Sequence, residues 1–470
     1  MKTVLLVNPK TVNKYYHVSS GWVDRLFVRL IRRQYHDRFD LPSHRRCTAV
    51  PPITLFGLRA LLQDRCRVDL VDEQTDRIDF GAAADLVCIT ATTPQIGRAR
   101  EIAAAFGRRG IPTAIGGIHA TCLPEECAES FDVVCVGEAE AYIDEMMRDL
   151  ERGDLARRYV ADGPVDMERA PFYDYELSTG SYVPFYAINF SRGCTSACEF
   201  CSVRATVGRH RTRSVDSVVR RIAESGAREV WFSDAALTAN REAARALFRA
   251  LVPLRIKWLS SIQLDVARDE SLLDLMAESG CWLASAGFES LSQSNLERSG
   301  KGIRVREFER AIKRFHERDI AIEGNFVFGF DGDDEDVFDR TARFTVHAGI
   351  DIPEFYMLTP YPGTRLYERL LAEGRIVHRD WRQYDNAHFH HLPVFRPAGM
   401  SRRALRDGCR RADRIAYDPL NVIRRLRNAR VARPSVYIAN FVYARRIVQR
   451  RNLMPRGEEY LLSAEDPAFA

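Results

Sequence analysis

The sequence predicts an α/β protein in three parts: a doubly wound parallel sheet, a partial β/α barrel of six units, and a basic helical region. Three observations carry that prediction. Apolar runs of strand length alternate with helix-period stretches over residues 1–150 and again over 181–395, the pattern of parallel sheets covered by helices. Between them, residues 151–180 break into Gly, Pro, Asp and Tyr and read as a linker. Beyond 395 the chain turns helical and basic: residues 401–450 hold 14 Arg, no Lys and three Asp, a local balance of +11. The whole chain is only +5, so the other 420 residues carry −6 and the charge is segregated.

Composition bounds the classes. The chain has 470 residues, 46% of them hydrophobic and 28% charged, which excludes disordered, collagenous and coiled-coil proteins. No apolar run reaches the ~18 residues of a membrane span. The opening apolar stretch stops at Asn8-Pro9 and reads as a first strand rather than a signal peptide, so a cytoplasmic protein is expected. An odd count of 11 cysteines suits a reducing compartment, with buried thiols and a metal site, better than a set of disulfides.

In the first part, strands are expected at Thr3 to Val7, Arg67 to Asp72, Asp85 to Thr90, Pro112 to Ile115 and Val133 to Val136. Helices are expected at Ile53 to Gln63, Pro94 to Arg109, near Pro124 and from Glu140. Such a Rossmann-like sheet binds ligands at the carboxyl ends of its strands. The loops there contain Asn8, Thr90, Thr92, Thr93, Gly116, Gly117, His119, Gly137 and Glu138. Residues 10–50 lack a period and read as an insertion over the mouth of this domain.

In the second part, strands are expected at Ala187 to Ser191, Glu229 to Ser233, Lys257 to Gln263, Trp282 to Phe288, Ala321 to Phe328 and Glu354 to Thr359. Helices over 214–225, 241–251, 269–279, 305–317 and 335–347 separate them. Six β/α units are too few for a closed eight-fold barrel; a (β/α)6 partial TIM-type barrel is the economical reading. Thr364 reads as the cap of a helix at Arg365.

Just after the first of these strands stands Ser191-Arg192-Gly193-Cys194-Thr195-Ser196-Ala197-Cys198-Glu199-Phe200-Cys201. Three thiols at C-x3-C-x2-C spacing on one tight loop can converge on one inorganic centre. A structural zinc site competes, but zinc wants four protein ligands and no second cysteine pair lies nearby. Three thiolates on a four-iron cluster leave one iron open, which is a catalytic feature.

This loop resembles the C-x3-C-x-aromatic-C motif of the radical S-adenosylmethionine (SAM) enzymes. The resemblance implies that Cys194, Cys198 and Cys201 ligate a [4Fe-4S] cluster whose fourth iron is chelated by SAM. It places Phe200 near the adenine, Glu289 of Gly287-Phe288-Glu289 toward the ribose, and Gly329 where the backbone approaches the cofactor. Asp234 and Asn240 lie where the family commonly has an acidic pair, but Ala235 replaces the second acid. No residue is singled out as a general acid or base. Reduction by a donor such as flavodoxin or ferredoxin would release a 5′-deoxyadenosyl radical.

A Rossmann-like domain ahead of such a barrel resembles the cobalamin-binding domain of the B12-dependent subgroup. The matching residues are Val71-Asp72-Glu73, Gly116-Gly117-x-His119-x-Thr121-x-x-Pro124-Glu125-Glu126 and Val136-Gly137-Glu138-x-Glu140. None of the 11 His sits in a D-x-H-x-x-G loop, so the resemblance implies cobalamin held without a protein His on cobalt. The implied activity is methyl transfer to an unactivated carbon of a small molecule or lipid, with cyclisation, ring contraction or oxidation as the alternative. A non-enzymatic iron–sulfur or zinc protein is the reading from another class.

The remaining cysteines read as bland. Cys66, Cys88, Cys135 and Cys281 belong to expected strands, Cys122 and Cys127 lie near the cobalamin face, and Cys47 and Cys409 carry no signal. The stretch Val436 to Tyr443, flanked by arginines, could lie on an anionic membrane. A helical layer docked on the barrel is the plainer reading. Nucleic acid is not expected, since no binding module is present.

Overall fold

The computed structural model describes residues 1–10, 52–174, 177, 182, 185–386, 391–429, 436, 440 and 444. The expected insertion over 10–50, Lys10 apart, with Cys47, and most of 436–443 lie outside these residues.

Strand β1 (Thr3–Asn8) is Val-Leu-Leu-Val at its centre, and these four side chains are buried on both faces. A strand with no polar face belongs in the middle of a covered parallel sheet. It lies between β2 (Arg67–Asp72) and β3 (Leu86–Thr90), followed by β4 (Thr113–Gly116), β5 (Val133–Val136) and β6 (Arg158–Val160). The order is β2-β1-β3-β4-β5-β6, with every pairing parallel. This is the flavodoxin-type doubly wound order, and its switch point falls between β1 and β3. Strand β6 lies inside the expected linker. Only its Tyr159 is buried, so three residues carry no legible alternation. The expected helix from Glu140 forms from Ile143, after a turn at Ala139–Ala141.

The second sheet is built from β7 (Tyr186–Ile188), β10 (Glu229–Phe232), β11 (Lys257–Ile262), β12 (Cys281–Glu289), β13 (Ala321–Phe328) and β14 (Ile352–Met357). A short antiparallel ribbon of β8 (Ser191–Arg192) and β9 (Arg211–Thr212), not expected from the sequence, brackets the cysteine loop. The order β14-β13-β12-β11-β10-β7 is sequential and parallel, which makes an open six-stranded barrel. Helices fall where the period placed them, with Val203–Thr206 and Gln293–Arg298 as additions. The helix-facing side is an aromatic core in which Phe288 stacks on Phe326 at 5.3 Å and meets Phe308 edge-on at 4.9 Å.

The basic region docks on the barrel through its apolar stripe. Helix Arg402–Ala416 buries Leu405, Cys409, Ala412 and Ala416. Helix Pro419–Ala429 follows, and its Leu426 joins Val436, Trp282 and Ile352 in a cluster under β12–β14. Arg425 is wholly buried and donates to the Ala416 carbonyl and to Asn440 Oδ1. Val436 and Asn440, the described residues of the 436–443 stretch, are therefore buried against the barrel. Among the described residues, no helix is long and apolar enough to cross a membrane.

A segment after the barrel returns to the first sheet. Tyr367, Trp381, Tyr384 and Val394 share a core with Val7, Ile89 and Ile115, and Trp381 Nε1 donates to Glu126 Oε1 at 2.7 Å. The two sheets are thus packed into one body, and a site between them has fixed walls.

Candidate functional site

The cysteine loop is anchored before its first thiol. Asp234, at the end of β10, accepts from the Phe190 amide at 3.1 Å and from both the amide and hydroxyl of Ser191. Burial pushes its carboxyl up to about 7 against those donors. Asp234 therefore shapes the loop rather than facing a ligand, and Asn240 caps helix Arg241–Leu251 through the Ala243 amide. Gly193 then turns with φ +81, and a Cβ there would overlap the Arg209 carbonyl, so only glycine fits. Cys194, Cys198 and Cys201 follow, all half-buried and free. Gln263 Nε2 reaches from the end of β11 to Thr195 Oγ1 at 3.0 Å and Ser196 Oγ at 3.2 Å. From the other side Leu366 N donates to the Glu199 carbonyl at 2.9 Å, and Arg365 to that of Ala197. Thr364 caps the helix at Arg365 as expected, its hydroxyl accepting from Tyr367 N at 3.1 Å.

The wall beside this loop is the end of β12. Glu289 holds a left-handed backbone at φ +62, and its Oε1 lies 2.7 Å from Lys301 Nζ. A Cβ on Gly287 would come within 2.8 Å of that Nζ, so the glycine leaves room for the ion pair. Burial lowers the Lys301 ammonium, but Glu289 and Cys198 outweigh it and hold the group above its ordinary range. Burial pushes the Cys198 thiol up to about 11, with Lys301 acting against it. Lys301 carries no motif of its own and sits 12 residues beyond Glu289 in a loop. Phe200 meets Phe330 edge-on at 5.9 Å. The space before Gly329 is filled by Leu405, 2.8 Å from where a Cβ would stand, so this glycine answers to helix packing and to its φ of +108.

Among the described residues, no three His, Cys, Asp or Glu side chains approach closely enough to hold one metal ion. Three thiols on one loop with no second cysteine pair beside them in the sequence suit a four-iron cluster that keeps one iron open better than a four-ligand zinc site.

At the carboxyl edge of the first sheet the polar groups satisfy one another. Asn8 Nδ2 donates to Asp72 Oδ1 at 3.0 Å, and its Oδ1 accepts from Gln95 Nε2 at 3.1 Å. Thr92 caps the following turn through Gln95, while Thr93 is buried. Gly117 has φ +97, and a Cβ would lie 2.7 Å from the Ala91 carbonyl, beside Thr90 Oγ1. Next to Gly116 and Gly117, Ile118 is 37% exposed, a large apolar group presented at this edge. Glycine-lined backbone with an apolar side chain beside it suits a flat, bulky ring.

Two of the expected residues turn their side chains elsewhere. His119 does not face that edge: it is 0% exposed, sits edge-on to Trp381 at 5.3 Å, and has no hydrogen bond at either ring nitrogen. Burial pushes its imidazolium down to about 4, leaving a neutral ring. Nor is Glu138 open to a ligand, because both its oxygens are engaged by the barrel. Oε1 accepts from Arg192 Nη1 at 2.9 Å, and Oε2 from Arg211 Nη2 and from Val165 N at 2.8 Å. Both residues share a motif with the glycines of this edge, but Trp381 and the second sheet decide where their side chains turn. Burial raises the thiols of Cys122 to about 11 and Cys127 to about 12, which makes them poor nucleophiles.

These contacts turn the two carboxyl edges toward each other. Arg192, beside the cysteine loop, meets Glu138 and Glu140 beyond β5. Gly363, beyond β14, lies against Cys122 and Ala205, so loops of both sheets converge.

Known proteins share this arrangement. A B12-binding domain model matches residues 48–146 and a radical SAM superfamily model matches 188–345. The chain is 29% identical over 391 residues to a bacteriochlorophyllide d C-12(1)-methyltransferase of Chlorobaculum tepidum, covering 80% of this chain and 84% of the relative. It is 28% identical to an anaerobic magnesium-protoporphyrin IX monomethyl ester cyclase of Cereibacter sphaeroides, covering 72% of this chain and 62% of that one. In fold it matches the radical S-adenosylmethionine methyltransferase TsrM of Kitasatospora setae with a TM-score of 0.62 at 19% identity, covering 79% of this chain and 76% of that one. The cobalamin-dependent radical enzyme OxsB matches with a TM-score of 0.63 at 14% identity, over 98% of this chain and 74% of that one. A three-thiol loop at the mouth of a six-stranded barrel, faced by a B12-binding sheet, makes this chain a radical SAM enzyme of the B12-binding subgroup, with a [4Fe-4S] cluster, SAM and cobalamin as its cofactors.

Proposed function

We propose that this enzyme transfers a methyl group to an unactivated carbon of an apolar polycyclic small molecule, at one site between the two carboxyl edges. The observation that carries this reading is the bridge from Glu138 and Glu140 to Arg192, two residues before Cys194. It brings the B12-binding edge and the thiol loop to one place, as a reaction using both cofactors on one substrate requires. The relatives' names support the substrate class: a bacteriochlorophyllide methyltransferase and, at 26% identity, a hopanoid C-2 methylase of Rhodopseudomonas palustris act on large fused or macrocyclic rings.

In this reading Cys194, Cys198 and Cys201 hold the cluster, with SAM against Phe200, Gly287, Glu289 and Lys301. The loops of Asn8, Thr90 to Thr93, Gly116, Gly117 and Gly137 line the cobalamin site. When bound, these groups supply radical hydrogen abstraction and a transferable methyl. The chain's own part is to position and to exclude water. Gly193 and Asp234 fix where the thiols emerge, and Gln263 and Arg365 keep the loop from swinging away from the barrel mouth. The Glu289–Lys301 pair sets paired opposite charges beside the thiols and can orient hydroxyls and a carboxylate of a bound ligand.

The test is anaerobic reconstitution with cobalamin, SAM carrying a deuterated methyl, a reductant and a panel of polycyclic acceptors. Deuterated methyl in product together with 5′-deoxyadenosine supports the reading. Turnover of an acceptor without the label favours the second reading, a cyclase, which the magnesium-protoporphyrin relative recommends.

A further inference from the structure

We infer that Glu138, Glu140, Arg192 and Arg211 form a spacing clamp: positioning residues that set the separation between the groups held by the two carboxyl edges. The inference rests on the shared-site reading above.

The geometry is directional. The Arg192 guanidinium divides between two carboxylates, Nη1 at 2.9 Å from Glu138 Oε1 and Nη2 at 2.7 Å from Glu140 Oε1. Arg211 faces Arg192 across the two-stranded ribbon and donates to the other oxygen of Glu138. Arg211 Nε also donates to the Val165 carbonyl at 2.7 Å, while Val165 N donates to Glu138 at 2.8 Å. A planar fork bonded along two edges fixes distance and rotation together, which an apolar contact does not. The four side chains are 9–25% exposed, so solvent screens them little compared with surface pairs.

Neither end of the clamp has slack. Between Arg192 and Cys194 stands Gly193, at φ +81 against the Arg209 carbonyl. Before Glu138 stands Gly137, at φ +82, where a Cβ would be 2.9 Å from that of Ala161. A shift of the guanidinium is therefore passed to the first thiol, and a shift of the carboxylates to β5.

Cohesion between the sheets does not depend on this clamp. The second anchor, Trp381, joins them independently: its Nε1 donates to Glu126 Oε1 at 2.7 Å and its ring meets His119 edge-on at 5.3 Å. Removing the clamp is expected to leave the fold standing and to change spacing, where about 1 Å of misplacement is enough to slow a reaction roughly 10²-fold.

The experiment uses full-length holoenzyme with cluster and cobalamin, comparing wild type with Arg192→Lys, the double variant Glu138→Gln/Glu140→Gln, and Trp381→Phe as the control at the other anchor. Iron and cobalt content are measured first. Pulsed EPR then reads the dipolar coupling between the reduced cluster and cob(II)alamin, and stopped-flow reads methylation of cob(I)alamin by SAM, which needs no substrate. The clamp variants should keep both cofactors, show a shifted or broadened coupling, and methylate roughly 10²-fold more slowly. Trp381→Phe should lower the melting midpoint and leave the coupling as in wild type. Clamp variants with wild-type coupling and rate overturn the inference. Loss of iron or cobalt in Arg192→Lys also overturns it, since the arginine would then be holding a group rather than spacing two. Absence of coupling in wild type with both cofactors bound sinks the shared-site reading instead.

Discussion

The two carboxyl edges solve opposite problems. On the barrel edge the reactive side chains are left without strong partners: three free thiols on a loop shaped by Gly193 and Asp234, beside a left-handed Glu289. On the first sheet's edge the polar side chains are spent on one another, Asn8 with Asp72 and Gln95, and what is presented is backbone and Ile118. The contrast teaches how each cofactor is held. An inorganic cluster is bound by ligand atoms and demands side chains, whereas a large ring is bound by shape and needs their absence.

Breaking the barrel edge should have the largest effect. Cys194→Ala, Cys198→Ala or Cys201→Ala should each abolish cluster absorbance and bring 5′-deoxyadenosine formation to background while cobalamin still binds, measured by iron analysis and chromatography. Cobalamin lost along with the cluster would show that the edges are not independent.

Next come the glycines that shape each edge. Gly117→Ala places a methyl 2.7 Å from the Ala91 carbonyl at φ +97 and should cost about 3 kcal/mol of stability together with cobalamin affinity. The equivalent change Gly193→Ala should cost a similar amount but lower iron content instead. Calorimetry with metal analysis separates the two.

A smaller effect is a pH dependence. Burial raises the Asp234 carboxyl to about 7 in the fold, so ionising it opposes folding. Its contribution is fully favourable below the ordinary carboxylate range near 4 and is lost as pH rises to about 7. Asp234→Asn should flatten that decline by up to about 3 kcal/mol between about pH 4.5 and about pH 7.5, read from urea unfolding at each pH. An unchanged slope would place the dependence on the other buried carboxyls, Glu323 raised to about 7 and Asp333 raised to about 6.

Ile118→Ala should do least to the fold, under about 0.5 kcal/mol for so exposed a side chain, yet weaken cobalamin binding measured by titration. Unaltered binding would remove Ile118 from the ring-facing surface.

Much of this was legible in the sequence because it is local. Strand runs such as Val4 to Val7, and the cysteine spacing, state their meaning within a few residues. What stayed hidden depends on partners far along the chain. Arg-Tyr-Val at 158–160 is a strand only because β5 lies beside it. Lys301 matters because β12 delivers Glu289 to it, and Glu138 became a bridge because Arg192, 54 residues on, faces it. His119 shared its motif with Gly117 but points the other way, into a core completed by Trp381. Motif position told which loop a residue occupies, not which way its side chain turns.

The cluster of Trp282, Ile352, Leu426 and Val436 under β12–β14 has a consequence for traffic. With that end of β12–β14 covered by Leu426 and Val436, substrate, spent 5′-deoxyadenosine and fresh SAM are expected to pass at the carboxyl edge, beside the B12-binding sheet. Entry and exit then queue at one doorway, and turnover is expected to follow how fast that doorway clears.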